Sequence, residues 1–308
     1  MALSLNQTRR RNVIAWVRSP RGREALAGYL FLAPFLFFFV IFLVRPIITS
    51  VQMSFHQWEV LMPTHPYVGL ANYEELIHDD LWWLALKNTI VFTMLTAAGT
   101  TVLALFTALA VKGPVPGQTF YRVVFYAPTL LSVSVVSTIW MWLLNTQFGL
   151  VNYVLLALGL GRINWLGDAV LVLPSLALTT IWWGFGFPML IFLTGLHGIP
   201  QHLYEAAEID GAGRLQRFWN ITLPLLRPTI LFVTVTQVIA HFQLFGQSFI
   251  MTGGGPGRAS YSIIMYLYQV AWRYFRMGYG TAIAIGLAVI MLVFTLIQFR
   301  LIGARVEY

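Results

Sequence analysis

The chain has 308 residues, of which 58% are hydrophobic and 10% charged, with a net charge of +8 and no cysteine. A soluble domain carries roughly 25% charged residues, so too few polar side chains remain here to cover a water-facing surface, and lipid is the solvent that fits. Disulfides, thiolate nucleophiles and cysteine metal sites are excluded, and the basic balance points to membrane orientation rather than to nucleic acid.

A spanning helix needs about 20 mostly apolar residues. Six stretches qualify: 25–44, 88–111, 123–144, 171–196, 229–251 and 278–299. Each is predicted as a helix, because an isolated span must satisfy its own backbone in lipid. Pro34, Pro128, Pro174 and Pro188 fall in or beside these runs and are expected to kink or end them. Between the third and fourth runs, 148–158 is apolar but too short to cross, and reads as a re-entrant or interfacial segment ended by Gly159 and Gly161. The first run has a basic flank but a long apolar core and no small-x-small cleavage pattern, so it reads as an uncleaved anchor.

Basic residues set the orientation. With the N-terminus inside, only Arg45, Lys87, Arg162, Arg258, Arg273 and Arg276 of the 19 Lys and Arg fall outside. The inside excess gives N-in, C-in, and the acidic first external loop (Glu59, Glu74, Glu75, Asp79, Asp80) agrees. The division that follows is a cytoplasmic basic tail over 1–24, a first spanning helix over 25–49, an external loop over 50–86, a core of five transmembrane helices over 87–300 that contains a cytoplasmic loop over 197–228, and a cytoplasmic C-terminal tail over 301–308.

Chemistry of its own is not expected. Neither lysine, Lys87 or Lys112, sits in a phosphate-binding G-x-x-x-x-G-K-[ST] loop, and no metalloprotease or serine-hydrolase motif occurs. His56, His65, His78, His197 and His202 show no metal-ligand spacing. No metal and no cofactor is implied, and any energy source is a partner or an ion gradient. An ion-coupled secondary transporter would want an intramembrane carboxylate, and the six runs contain none. A membrane-embedded enzyme would want a catalytic cluster, and His241 stands alone.

The most informative segment is 199–228. Pro200 suits the start of a helix over 201–210 and Gly211 its stop. Leu203, Ala206, Ala207 and Asp210 are predicted along one side, and a second helix over 214–222 is predicted to end before Pro224. Glu205-Ala206-Ala207, Asp210-Gly211-Ala212, Phe218 and Ile221-Thr222-Leu223-Pro224 resemble the EAA loop of binding-protein-dependent ABC importer permeases. By that resemblance Glu205, Ala206, Ala207, Asp210 and Gly211 contact an ATPase subunit. Val68-Gly69-Leu70-Ala71-Asn72-Tyr73, Asn88-Thr89, Tyr121-Arg122 with Pro128, Asn145-Thr146-Gln147-Phe148-Gly149 with Asn152, and Met251-Thr252-Gly253-Gly254-Gly255-Pro256 look like its carbohydrate branch, the MalF-like or UgpA-like half.

The resemblance implies an all-α, polytopic membrane protein of six transmembrane helices with the MetI-like type I importer fold, placed in a bacterial or archaeal cell (inner) membrane. The partners it implies are a second, MalG-like permease, two copies of an ABC ATPase, a periplasmic or lipid-anchored sugar-binding protein and membrane lipid, with no nucleic acid. The maltose member of the family holds its sugar on three helices matching the third, fourth and fifth runs. Carried over by position, this points to Thr129, Val133, Thr180, Trp183, Gly184, Gln237, His241 and Leu244. On a continuous fifth helix, Gln237, His241, Leu244 and Ser248 would share one face. The 252–257 turn is placed at the mouth where substrate arrives. A sugar or oligosaccharide is the expected cargo, with glycerol 3-phosphate or another small polar solute as the alternative.

Overall fold

The computed structural model describes residues 19–113 and 116–303. The predicted tails over 1–24 and 301–308 lie largely outside those residues. The described chain is helical throughout, with two isolated bridges, His56 to Tyr67 and Glu59 to Arg276, and no strand among the described residues.

Helix α1 (Pro20–Phe39) runs through Pro34 and passes by a π turn, Val40–Val44, into α2 (Arg45–Ser54). The first span therefore does not stop at residue 44. Pro46 has no N–H to offer the carbonyl of residue 42, and the Arg45 amide bonds Val40 O five residues back, so the widened turn carries the helix past the proline. The combined helix Ala27–Ser54 exposes Phe31, Phe35 and Phe42 along its length.

After α3 (Ala71–His78) comes α4, Asp80–Lys112, the central helix. It starts eight residues before the predicted 88, because the Asp79 carboxylate accepts hydrogen bonds from the amides of Leu81 and Trp82 and caps it. Ala85, Thr89, Thr93, Thr96, Thr100, Ala104 and Ala108 recur at steps of three and four and are buried. Small residues let helices approach, as between α4 and the helices of the fourth and fifth spans. Gly99 is such a contact: a Cβ there would sit 2.4 Å from Ile181 Cδ1.

The next three predicted spans are broken. The third is α5 (Gln118–Tyr126), a 3₁₀ turn over Ala127–Leu130 and α6 (Val133–Leu143), with a 99° bend. Pro128 tightens the chain, Leu131 and Ser132 are extended, and Ser132 caps α6. The predicted interfacial segment is α7 (Leu150–Ala157), and Gly159 ends it with φ +76°. The fourth span is α8 (Val172–Gly184) and α9 (Gly186–His197), bent by 52° at Phe185, where Pro188 cannot donate to the carbonyl of Gly184.

Next come α10 (Gln201–Ile209), α11 (Arg214–Arg217), a π turn over Phe218–Thr222 and α12 (Leu223–Leu225). The second leg of this loop does not end before Pro224; a π turn again absorbs the missing amide. The fifth span is corrected too: α13 (Arg227–Phe242) stops short of the predicted 251, and a break over 243–245 leads to a short α14 (Gly246–Met251). An unforeseen α15 (Ile263–Tyr268) and π turn (Gln269–Arg273) bury Ile263, Met265, Tyr266 and Val270 before α16 (Met277–Ile302).

Among the described residues, three helices are long and apolar enough to cross a membrane, and three bent pairs raise the number to six if each is one span. At one end of α4, Lys112 lies over the Tyr204 ring at 4.6 Å. At the other, Asp79 accepts hydrogen bonds from the hydroxyls of Tyr266 and Tyr279, the latter at 2.6 Å, so one carboxylate ties α4, α15 and α16. Burial alone would raise its pKa, but the two tyrosines and two amides outweigh it and hold the carboxyl below its usual value. Arg276 and Glu75 pair beside it at 2.6 Å.

Candidate functional site

The breaks in the third, fourth and fifth spans meet around one cavity of about 590 Å³. Irregular backbone at membrane depth is tolerated where it lines a cavity or is buried in protein, and this arrangement satisfies that condition. All eight residues singled out by position border it: Thr129 and Val133 at the first break, Thr180, Trp183 and Gly184 at the second, and Gln237, His241 and Leu244 at the third. Leu244 is 3% exposed and contributes little more than backbone.

The first two breaks complete one another. The Thr129 hydroxyl donates to Trp183 O at 3.2 Å, and Trp183 Nε1 donates to Leu131 O at 3.1 Å. Each side chain satisfies a carbonyl that the other's broken helix leaves without an intrahelical donor. The Thr180 hydroxyl is turned back to Leu176 O at 2.8 Å. His241 is 8% exposed, has the edge of Phe92 at a centroid distance of 6.2 Å, and its Nε2 has no hydrogen-bond partner among the described residues. A buried polar atom without a partner costs about 1–3 kcal/mol, so this nitrogen calls for a ligand or water.

The fifth-span face requires correction. The break at 243–245 turns Ser248 away from Gln237 and His241; it is fully buried, and its hydroxyl bonds Ser260 O instead. Gln243, Phe245 and Gln247 enter the lining in its place. Both glutamines were visible as polar residues in an apolar run, but a continuous helix would have pointed them elsewhere. Gly246 is needed for the contact between α14 and α6, since a Cβ there would meet Val133 Cγ2 at 2.6 Å.

The second candidate surface is the hairpin at the Lys112 end. Ala212 N bonds Ala207 O at 2.8 Å across Gly211, whose φ is +79°, which closes α10 as a glycine does. The two legs are joined by Arg217–Glu208 at 3.0 Å and by Tyr204 to Thr222 at 2.9 Å. Leu203, Tyr204 and Ile221 pack against the buried cluster that contains Val111, Leu196 and Leu226. The predicted single face is divided accordingly. Leu203 and Ala207 are half-buried, whereas Glu205, Ala206, Asp210 and Gly211 are exposed, beside exposed Ile209, Leu215 and Trp219. Those three apolar side chains were not singled out in the sequence.

The remaining motif residues build loops. Asn72 Nδ2 donates to Ser54 O and His56 O, Asn88 Nδ2 to Arg258 O and Tyr261 O, and Asn152 exchanges hydrogen bonds with the backbone of Ile163.

A polytopic helical bundle whose interrupted spans enclose a polar-flecked cavity, with a rigid hairpin at one end, is the architecture of a transport permease. Residues 100–307 match the family described as binding-protein-dependent transport system inner membrane component, and the chain belongs to that family. It is 32% identical over 281 residues to the trehalose/maltose transport system permease protein MalF of Thermococcus litoralis, covering 90% of this chain and 94% of that one. It is 33% identical over 283 residues to the sn-glycerol-3-phosphate transport system permease protein UgpA of Agrobacterium fabrum, covering 91% and 96%. Among solved structures it resembles a bacterial alginate ABC transporter crystallised with alginate pentasaccharide-bound periplasmic protein. There the TM-score is 0.79 at 26% identity, over 90% of this chain and 94% of that one. The chain thus has the MetI-like fold and is a permease subunit, a class that is non-catalytic.

Proposed function

We propose that the chain forms half of the membrane path of an ATP-driven importer for a sugar or oligosaccharide. A second, MalG-like permease supplies the other half, two ATPase subunits engage the hairpins, and a periplasmic or lipid-anchored binding protein delivers cargo to the opposite face. Both termini lie in the cytoplasm. The observation that carries this reading is the cavity at the three breaks, where Gln237 and His241, its Nε2 unpartnered among the described residues, share the lining with aromatic Phe92 and Trp183. Neutral donors and acceptors pair with hydroxyls, and aromatic faces take sugar C–H surfaces.

Coupling follows from connectivity. The hairpin hands over to α13 at Leu226 with a 66° bend, and α13 carries Gln237 and His241 into the cavity. His241 lies 14 residues after Arg227, about 21 Å along the helix. A push on Glu205, Ala206, Ala207, Asp210 and Gly211 is passed on because the cross-links between the legs make the hairpin a rigid body. ATP-bound closure opens the cavity outward, and hydrolysis by the partner resets it.

UgpA, whose name carries glycerol 3-phosphate, keeps that solute as the second reading. A phosphate favours Arg or Lys at its site; neither borders this cavity. The test is ATP-dependent uptake by proteoliposomes holding the full complex, with radiolabelled di- and trisaccharides and glycerol 3-phosphate as the panel. Uptake of a disaccharide, reduced at least tenfold by His241→Phe, is the expected result. Uptake of the phosphate alone, or of nothing, overturns the sugar reading.

A further inference from the structure

The short helix α14 separates two cavities. Phe245 borders the first, and one turn later Phe249 borders a second, of about 410 Å³. That volume lies within the range of small-ligand pockets, roughly 300–1,000 Å³. The two phenylalanine rings are 5.2 Å apart and nearly parallel at 19°. Tyr268 closes the group, 5.5 Å from Phe245 and 6.1 Å from Phe249. Three rings therefore form the partition between the cavities.

The rest of the second cavity is lined by Gly253, Met265 and three polar side chains, Tyr261, Gln269 and Arg273. The Tyr261 hydroxyl donates to Gln269 Oε1, and Gln269 Nε2 donates to the Tyr274 hydroxyl at 2.6 Å. The amide is fixed at both atoms, with one N–H and one lone pair left over. Arg273, one turn further on, also borders the cavity, and among the described residues it has neither ion pair nor hydrogen bond. Aromatic rings and Met265 beside the fixed Gln269 amide and the exposed Arg273 guanidinium suit a flat ring with an apolar face and a rim of hydroxyls. An acyl chain would leave the spare N–H of the half-buried Gln269 unpaired. Tyr261 and Met265 belong to the same buried cluster as Trp82, Tyr266 and Tyr279, which puts this cavity toward the Asp79 end, away from the hairpin.

We propose that this second cavity is an outer station on the sugar path, holding one pyranose ring against Phe249 and Tyr268 with its hydroxyls toward Gln269 and Arg273 before it passes Phe245 into the inner cavity. The station rests on the sugar-permease reading. The partition then acts as the step between stations: rotation of Phe245 and Tyr268 joins the cavities, and a sugar ring can leave one aromatic face for the next without full rehydration.

The natural lack of cysteine makes the station accessible to test. Single thiols are placed at Tyr268→Cys and, as an inner control, Val133→Cys, in the full complex. Maleimide labelling is read on this subunit's own gel band, with and without the disaccharide that the uptake panel identifies. Protection of both thiols, threefold or more, is expected. Phe249→Ala should raise the half-saturating concentration for uptake about fivefold, the order an aromatic contact supplies, with the maximal rate held and Phe249→Tyr returning within about twofold. Should Tyr268→Cys fail to assemble, Phe249→Cys reports from the facing wall. Protection at Val133→Cys without protection at the outer thiol removes the station and leaves the permease reading intact. A Phe249→Ala variant whose half-saturation equals wild type also removes it. A wild-type complex that takes up no sugar defeats the reading beneath it.

Discussion

Replacing Asp79 by alanine removes an acceptor that four donors share. The α4 cap is lost, worth about 1 kcal/mol. Two tyrosine hydroxyls, on residues 7% and 2% exposed, lose their carboxylate. They keep a 3.5 Å contact with each other, so one of them is left buried and unsatisfied, at about 1–3 kcal/mol. The total is about 3 kcal/mol, or roughly 5 °C in unfolding midpoint for a chain of 308 residues. Tryptophan fluorescence of the detergent-solubilised subunit reads it. Tyr279→Phe alone should lower the midpoint by about a third as much, and the double variant should fall short of additivity because both changes break one interaction. The acid limb gives a second readout. Because folding lowers the Asp79 pKa from its ordinary 3.8, the stability it supplies is complete above that value and drains away as pH falls through the lower, folded one. Asp79→Asn should therefore flatten the pH dependence of stability below about pH 4, while from pH 6 to 8 its curve runs below the wild-type one and parallel to it. A midpoint for Asp79→Ala within 2 °C of wild type, or full additivity with Tyr279→Phe, would refute the three-helix tie.

Gly186→Ala places a Cβ 2.4 Å from Phe125 O and 2.7 Å from Tyr126 Cα, both backbone, so α5 and α9 must separate; uptake should drop at least tenfold at normal membrane yield. Gly211→Val forces a β-branched residue into φ +79°, which costs about 1–2 kcal/mol; the end of α10 should fray, and substrate-stimulated ATP hydrolysis by the complex should fall. Glu205→Arg reverses charge on an exposed residue that has no ion-pair or side-chain hydrogen-bond partner among the described residues, so melting should stay within 1–2 °C while co-purification of the ATPase is lost; retained co-purification and uptake would take the hairpin out of coupling.

The hairpin was legible because its signals are local: Pro200, Gly211 and the intervening small residues need no tertiary context. The apolar runs were legible by length. Pro128 and Pro188 mark the interruptions of the third and fourth runs, whereas the fifth run hides its own. Residues 243–245 contain neither proline nor glycine, and only the packing of α14 on α6, allowed by Gly246, shows why the helix stops there. One unnoticed break was enough to misplace Ser248. The start of α4 was missed because Asp79 reads as an acidic loop residue until Tyr266 and Tyr279, nearly two hundred positions later, are seen to donate to it. Segment 263–273 is too short to cross a bilayer, and its apolarity makes sense only against Trp82 and Tyr279. The eight cavity residues came from family position, and nothing in periodicity would have brought three breaks to one place.

The two hydrogen bonds that join the breaks, from Thr129 to the Trp183 carbonyl and from the Trp183 indole to the Leu131 carbonyl, also bear on how the chain first enters the bilayer. A straight apolar helix can slip sideways from the translocation channel as soon as its last turn forms. The segment with the 99° bend cannot, because the carbonyl of Leu131 waits for an indole 52 residues further along. The expectation is that it stays wetted beside the channel until Trp183 is synthesised, and that the two crossings then leave for the lipid as a pair. Ribosome-bound chains truncated before Trp183 should release this crossing to alkaline extraction, and chains carrying α8 and α9 should hold it.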